Sequence, residues 1–152
     1  MTSGAASHSD RQKSRTALLV ANTDWYLFNF RLNLLKAAED DDWRVEFAAP
    51  DTGYFATLEA EGYTGHEVPL ASAGLNPWQE LKALGTLART FRRTQPDVIH
   101  LFTLKCVLYG CLTAPFAGRA RIIGAVTGMG HLFTTKSWRT RLLKKPVLVA
   151  LK

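Results

Sequence analysis

Two apolar runs in the chain are each followed by residues that can bind anions or accept a proton. The first run, Val98–Phe102, contains His100 and leads into Thr103 and Lys105. The second run, Ile122–Val126, leads into a T-G-M-G loop that contains Thr127, Gly128 and Gly130. A lysine ammonium and the free N–H groups of a glycine loop bind anionic oxygens, and an imidazole can take up a proton. These residue types indicate a site for an anionic ligand.

Each of these residues also has a plainer interpretation. Glycines in a loop are commonly turn residues, and a histidine in an apolar strand, such as His100, can be a hydrogen-bonded core residue. Lys105 can lay its stem along the surface and keep its ammonium in water. However, Lys105 would begin a helix, where a cation opposes the macrodipole, and this cost favours an anionic ligand nearby. The sequence leaves both interpretations open.

The two apolar runs predict neighbouring strands of a parallel sheet. Both runs are nearly continuous, as strands buried on both faces require. The segment between them is long enough for a crossover helix, which would make the two strands parallel. Ligands bind beyond the carboxyl ends of the strands in an open parallel sheet. The predicted site therefore lies where these two strands end.

The same alternation of apolar runs and helical patterns extends through the chain. Further strands are predicted at Ala17–Ala21, Arg44–Ala49 and His66–Val68, with a helical pattern after each of them. The order β-α-β-α-β-α-β-α-β predicts an α/β fold with a doubly wound, Rossmann-like sheet of about five parallel strands.

Capping residues mark several predicted helix ends. Asn22-Thr23-Asp24 predicts the start of the first helix, and Asn76-Pro77 predicts the start of the third. Gly62 is placed to close a short helix over Tyr54–Glu61. Three carboxylates, Asp40–Asp42, follow the first helix and oppose its macrodipole, so a frayed or early end is expected there.

The formal net charge of +6 is confined to the end of the chain. Six of the 19 basic residues and none of the 13 acidic residues lie between Lys136 and Lys152, so 19 − 6 = 13 basic residues balance the acids elsewhere. A balanced body argues against a nucleic-acid partner. The cations alternate with apolar residues at helical spacing, which predicts either a membrane-interface helix or a solvated surface helix. The predicted membrane-facing residues are Lys136, Arg139, Arg141, Lys144 and Lys145.

Length and motifs predict one domain and exclude several classes of site. A chain of 152 residues suits a disordered tail over 1–15, a Rossmann-like domain over 16–133 and a basic amphipathic helix over 134–152. No G-x-G-x-x-G or P-loop sequence is present. Cys106 and Cys111 face away from each other on one predicted helix, and no metal-ligand spacing occurs, so neither a disulfide nor a metal site is predicted. No apolar run reaches the roughly 18 residues of a membrane span, and the N-terminus lacks a secretion signal.

Three stretches, taken together, resemble a known family. They are A-N-T-D-W-Y-L-F-N-F-R-L-N-L-L at 21–35, D-V-I-H-L-F-T-L-K-C-V-L-Y-G at 97–110 and A-V-T-G-M-G at 125–130. They are similar to the N-terminal half of bacterial GT-B glycosyltransferases of family 4, most closely the subgroup that extends undecaprenyl-diphosphate-linked sugars in cell-surface polysaccharide or glycan synthesis. The resemblance covers Thr16–Lys152 and implies a GT-B N-terminal domain with the C-terminal domain absent.

The resemblance implies a retaining transferase that uses a nucleotide sugar, expected to be a UDP-sugar, and no cofactor or metal. The active site would lie between two Rossmann-like domains. This domain would hold a polyprenyl-diphosphate-linked acceptor, in a cytoplasmic protein attached to the inner face of the cell membrane. No catalytic histidine can be named, because Thr127 and Gly128 occupy the place after the fifth strand where many relatives carry one. The predicted substrate-binding residues are Asn22, Thr23, Phe30, Arg31, His100, Thr103, Lys105, Thr127, Gly128 and Gly130.

The resemblance leaves three hypotheses open, because the donor-binding domain is expected to be missing. The chain would be the acceptor domain of a glycosyltransferase and inactive alone. It would otherwise be a non-catalytic, membrane-docking subunit that recruits a separate C-terminal-domain chain. The third hypothesis is an unrelated Rossmann-like nucleotide-binding module, which direct binding of NAD or ATP would favour.

Overall fold

A parallel sheet forms the centre of the fold. The strands are β1 Thr16–Val20, β2 Arg44–Ala49, β3 Thr64–Glu67, β4 Val98–Phe102 and β5 Arg121–Ala125. The helices are α1 Asp24–Asp40, α2 Phe55–Ala60, α3 Pro77–Thr94 and α4 Leu104–Thr113, and a 3-10 turn at Ala114–Phe116 follows α4. These elements come from a computed structural model that describes residues 15–70 and 76–126. The five strands lie in the order β3-β2-β1-β4-β5, and every pair is parallel, so the predicted fold class is confirmed.

The helices cover the sheet from both sides. Leu27 of α1 and Leu58 of α2 pack in one buried cluster with Phe47 of β2. Leu87 and Phe91 of α3 belong to a second cluster on the opposite face. β1 lies at the middle of the sheet and contributes residues to both clusters, as its continuous apolar sequence predicts.

The prediction that β5 is buried on both faces is wrong. Ile122 and Ile123 point to opposite faces, and their side chains are 36% and 49% exposed. Within the described residues, β5 pairs only with β4 and forms an edge of the sheet. An apolar run therefore predicted the strand correctly but not its position, because edge and central strands can share the same sequence pattern.

The predicted capping residues lie at the helix ends. The Thr23 hydroxyl accepts a hydrogen bond from Tyr26 N–H at 3.2 Å, and Asn76 Oδ1 accepts one from Trp78 N–H at 3.1 Å. Gly62 follows α2 with a φ of 103°, and its left-handed conformation allows the helix to close. The starts of α1 and α3 and the end of α2 are thus confirmed.

The end of α1 is closed rather than frayed. The helix continues through Asp40, and Asp42 then adopts a left-handed φ of 61°. The Asp42 N–H donates to Glu39 O and the Trp43 N–H donates to Ala38 O, each at 3.0 Å. These bonds form the motif that usually places glycine at the left-handed position. The expectation of fraying overlooked that aspartate also tolerates this conformation.

Other predictions are met more loosely or fall outside the described residues. The third strand begins and ends slightly earlier than predicted, at Thr64–Glu67 instead of His66–Val68. Both cysteines are free thiols, Cys106 buried and Cys111 exposed. The predictions for the tail before Arg15, the T-G-M-G loop and the basic segment lie outside the described residues.

Candidate functional site

The strand order places the predicted site residues at a switch point of the sheet. Chain order reverses between β1 and β4, which are hydrogen-bonded neighbours. In doubly wound folds, ligands bind at such a point, outside the carboxyl ends of the strands. Asn22 and Thr23 follow β1, and Thr103 follows β4, so the structure brings these three predicted residues to one edge.

Thr103 has a strained backbone at this edge. Its φ of 74° and ψ of 154° fall in a region that is essentially restricted to glycine. The conformation is held by two backbone hydrogen bonds of 3.1 Å, from Thr103 N–H to Ala125 O and from Val107 N–H to Thr103 O. Strain of this kind costs about 1–3 kcal/mol and is concentrated at functional sites. Thr103 is therefore the backbone feature that most clearly marks the switch point.

Lys105 lies in a polar cluster between α3 and α4. Its Nζ atom lies 3.0 Å from the Glu80 carboxylate, which also accepts a hydrogen bond from the Tyr109 hydroxyl. The Tyr109 bond, followed by the Lys105 bond, lowers the pKa of Glu80. Burial, followed by the hydrogen bond to Glu80, raises the pKa of Tyr109 to about 12. The Lys105 ammonium thus already contacts the Glu80 carboxylate. An anionic ligand at Lys105 would have to compete with that carboxylate.

Arg31 and His100 form a second polar cluster, on the α1 face of the sheet. Arg31 Nη2 donates to the Tyr26 hydroxyl at 2.6 Å, and the guanidinium carbon lies 4.9 Å from the centroid of the Phe102 ring. Arg31 Nε is buried and has no hydrogen-bond partner among the described residues. Such an orphaned donor is uncommon and indicates a missing acceptor. This cluster can therefore accept an anionic oxygen.

His100 is a half-buried imidazole in this second cluster. Its ring centroid lies 4.2 Å from that of Phe102. Burial, followed by the positive charge of Arg31, lowers the pKa of His100 below its ordinary value of 6.5. The His100 side chain makes no hydrogen bond within residues 15–70 and 76–126.

Phe30, the remaining predicted residue of α1, is exposed beside the second cluster. Its ring centroid lies 5.6 Å from that of Tyr26 and 5.3 Å from that of Trp25. Phe30 is 58% exposed, which leaves its ring free to contact a ligand or a partner surface. The helix therefore presents an aromatic surface next to the Arg31 cluster.

Asp24 is a structural residue of this edge that the sequence interpretation noted only as part of a cap. Its buried carboxylate accepts hydrogen bonds from Trp25 N–H at 2.7 Å, Thr52 N–H at 2.9 Å, Tyr54 N–H at 2.8 Å and the Thr52 hydroxyl. Burial raises the pKa of Asp24, but the bonds from Thr52, Tyr54 and Trp25 together outweigh it, and the pKa is lowered. Asp24 fixes the loop after β2 to the start of α1.

Three further predictions concern the T-G-M-G loop, metal binding and membrane-spanning helices. Thr127, Gly128 and Gly130 lie outside the described part of the chain. Among the residues that are described, no group of histidine, cysteine, aspartate and glutamate side chains could hold a metal ion. None of the described helices is long and apolar enough to cross a bilayer.

Two sequence comparisons relate the chain to glycosyltransferases. A family model described as Glycosyl transferase 4-like matches residues 17–151. The chain is 25% identical over 118 residues to the N,N'-diacetylbacillosaminyl-diphospho-undecaprenol alpha-1,3-N-acetylgalactosaminyltransferase of Campylobacter jejuni. This match covers 78% of the chain but only 31% of that relative, so the chain spans about a third of its length.

A solved structure shows the same fold. UDP-GlcNAc 2-epimerase from Methanocaldococcus jannaschii superposes with a TM-score of 0.50 at 15% sequence identity. The superposition covers 88% of this chain and 37% of the epimerase chain. At this identity, the likeness concerns the fold alone.

Proposed function

Because the chain belongs to the glycosyl transferase 4-like family, we propose that it forms the acceptor-binding side of a glycosyltransferase. The acceptor would be a saccharide linked to a polyprenyl diphosphate, the class of molecule in the name of the Campylobacter jejuni relative. The observation that carries this proposal is a pair of cationic side chains near the end of β4: Arg31, which stacks on Phe102, and Lys105, which follows two residues after the strained Thr103. Family membership also replaces the hypothesis of an unrelated nucleotide-binding module.

The two clusters suit a diphosphate in different ways. Arg31 offers a rigid, planar guanidinium whose Nε has no acceptor among the described residues, and arginine binds phosphate oxygens through paired hydrogen bonds. Lys105 offers a point charge that already contacts Glu80. An acceptor diphosphate bound at Lys105 would draw the ammonium partly away from Glu80, while Tyr109 continues to hydrogen-bond the carboxylate. Glu80 is then a positioning residue for Lys105.

In the proposed reaction, an acceptor hydroxyl oxygen bonds to the anomeric carbon as the bond to the nucleotide diphosphate breaks. The hydroxyl proton passes to a phosphate oxygen of the nucleotide diphosphate, which leaves from the same face of the sugar with the bonding electron pair. We propose a UDP-sugar donor, retention of anomeric configuration and no metal cofactor. NMR of the product would test the stereochemistry, because inversion at the anomeric carbon would contradict it. We place His100 on the acceptor side and assign no catalytic residue.

We further propose that a second Rossmann-like domain supplies the donor side, on the same polypeptide or on a separate chain. Transfer requires the donor to be held against the acceptor while charge on the leaving diphosphate is stabilised. The described residues form one wall of such a cleft. We therefore expect the chain to bind acceptor but to transfer no sugar by itself.

The test is calorimetric titration of the chain with a short-chain polyprenyl-diphosphate saccharide in detergent, together with a turnover assay that uses a panel of UDP-sugars. Lys105→Gln should weaken acceptor binding about tenfold, as expected for loss of one charge-assisted contact. Glu80→Gln should preserve or tighten it, because the lysine loses its competing carboxylate. Lys82→Gln, an exposed lysine of α3, is the matched control and should bind like the parent chain.

The two variants distinguish a ligand-binding lysine from a structural ion pair. If Lys105 only joins α3 to α4, Lys105→Gln and Glu80→Gln should lower the unfolding temperature alike and leave acceptor affinity unchanged. That result would remove Lys105 from the site. Product formed by the chain alone at enzyme-like rates would contradict the expectation that the chain transfers no sugar without a second domain.

A further inference from the structure

A second polar groove lies between β3 and α3, away from the switch point. Its volume is about 270 Å³, and it opens to solvent. β3 is separated from the β1–β4 junction by β2, so the groove is not part of the proposed acceptor site. Its lining residues are Gly65, His66, Glu67, Thr86, Arg89, Thr90 and Arg93.

The groove carries two arginines near the C-terminal end of α3, where a cation also suits the helix macrodipole. Arg89 and Arg93 lie one helical turn apart on α3, and both are exposed. Neither makes a hydrogen bond, ion pair or ring contact with any side chain in the described part of the chain. Two guanidinium groups at this spacing, beside one cavity, form a site of positive charge.

The nearest carboxylates do not cancel this charge. Glu46 is buried and already contacts Arg44 at 2.9 Å and His66 Nε2 at 2.7 Å. Glu67 follows His66 on β3, and successive strand side chains point to opposite faces of the sheet. The Glu67 side chain therefore leaves the strand on the face opposite to His66, although Glu67 also lines the groove. The groove thus carries two arginines against one carboxylate that has no cation of its own among the described residues.

The open edge of β3 adds backbone donors. Within the described residues, β3 pairs only with β2, and Val68 N–H donates to Ala49 O at 3.1 Å. Alternate residues of a strand direct their N–H groups to opposite sides. The N–H groups of Gly65 and Glu67 therefore point to the open side of the strand, where unpaired strand edges accept other hydrogen-bond partners.

We propose that this groove binds a phosphomonoester the size of a sugar phosphate, at a site separate from sugar transfer. Two arginines and two backbone N–H groups match the oxygens of a phosphate dianion. The groove is smaller than the roughly 300–1,000 Å³ of sites for larger ligands, so it suits a phosphate with one small polar substituent. The Thr86 and Thr90 side chains at the groove add hydroxyl groups that a sugar can contact.

The experiment is calorimetric titration of the full chain with a hexose phosphate and with inorganic phosphate, at constant ionic strength. The uncharged hexose is the ligand control. The test variant is Arg89→Gln combined with Arg93→Gln. The matched control is Arg92→Gln combined with Arg119→Gln, which removes the same charge from exposed arginines outside the groove.

We expect saturable binding of one hexose phosphate per chain, with inorganic phosphate binding more weakly and hexose not at all. The test variant should lose at least about tenfold in affinity, the loss of one or more charge-assisted contacts, and the control variant should match the parent. Circular dichroism and thermal unfolding would show that both variants keep α3. Equal losses in the two variants, or no saturable binding to the parent chain, would overturn the proposal.

Discussion

Thr103 offers a test of whether strain at the switch point serves ligand binding. We predict that Thr103→Gly is more stable than Thr103→Ala by about 1 kcal/mol, because only glycine adopts this conformation without strain. Both variants remove the hydroxyl, and both should weaken acceptor binding if that hydroxyl faces the ligand. Urea unfolding and acceptor titration of the two variants would measure the two effects separately.

The alanine variant is the control for this comparison, because it keeps the Cβ atom and loses only the rest of the side chain. Equal stabilities of the two variants would mean that the backbone at this position is not strained. Unchanged acceptor affinity in both variants would assign Thr103 to the fold alone.

Asp24 gives a prediction about stability and pH. Asp24→Asn should lower the free energy of unfolding at pH 7 by about 1–3 kcal/mol, because an amide nitrogen cannot accept the hydrogen bonds that the carboxylate accepts. The pKa of Asp24 is lowered in the folded chain, so its contribution is present above the ordinary value of 3.8 and is lost as the pH falls through the folded value. The difference between parent and variant should therefore shrink below about pH 4.

Chemical unfolding at a series of pH values would measure this difference. The control is Glu59→Gln on α2, which neutralises an exposed carboxylate and should change stability little. A difference between parent and Asp24→Asn that stays constant from pH 7 into the acid range would contradict the role given to the ionised carboxylate.

At the residue scale, the sequence predicted where residues lie relative to strand ends better than it predicted their hydrogen-bond partners. Asn22 and Thr23 follow β1 and Thr103 follows β4, as predicted, because strand ends follow from local pattern. The bond between Asp24 and Thr52 joins residues 28 apart, and that between Lys105 and Glu80 joins residues 25 apart. Such pairs depend on how helices dock on the sheet, which no local spacing reveals.

At the element scale, a substitution at the end of α1 should stabilise the chain. We predict that Asp42→Gly raises the free energy of unfolding by about 0.5–1 kcal/mol, since glycine fits a φ of 61° and removes a carboxylate from a helix C-terminus. Asp42→Asn removes only the charge and should gain less, about 0.3–0.5 kcal/mol. Urea unfolding followed by circular dichroism would compare the three chains. A glycine variant less stable than the asparagine variant would contradict the assigned backbone geometry.

The elements themselves were largely predictable because their signals are local. Asn76 and Pro77 begin α3, and a glycine closes α2, where the sequence indicates. The exposure of β5 was not predictable, because Ile122 and Ile123 belong to an apolar run like that of a central strand. Which strand becomes an edge depends on the order of the whole sheet.

At the scale of the whole molecule, the switch-point clusters and the excess positive charge lie in different parts of the chain. The described body contains the switch-point clusters, and none of its helices could span a bilayer. The excess positive charge lies beyond it, between Lys136 and Lys152. We propose that this segment attaches the protein to an anionic membrane and so brings the switch point near a lipid-linked acceptor.

This attachment is the final prediction. Each cation near an anionic surface adds about 1 kcal/mol of binding free energy, an attraction that salt screens. Neutralising Arg139, Arg141, Lys144 and Lys145 together should therefore reduce binding to phosphatidylglycerol vesicles by more than about a hundredfold in a sedimentation assay. Equal binding of the parent chain to neutral vesicles, or equal losses in a charge-matched control, would show that the segment does not direct attachment. The control neutralises four exposed cations of the body: Lys82, Arg92, Arg119 and Arg121.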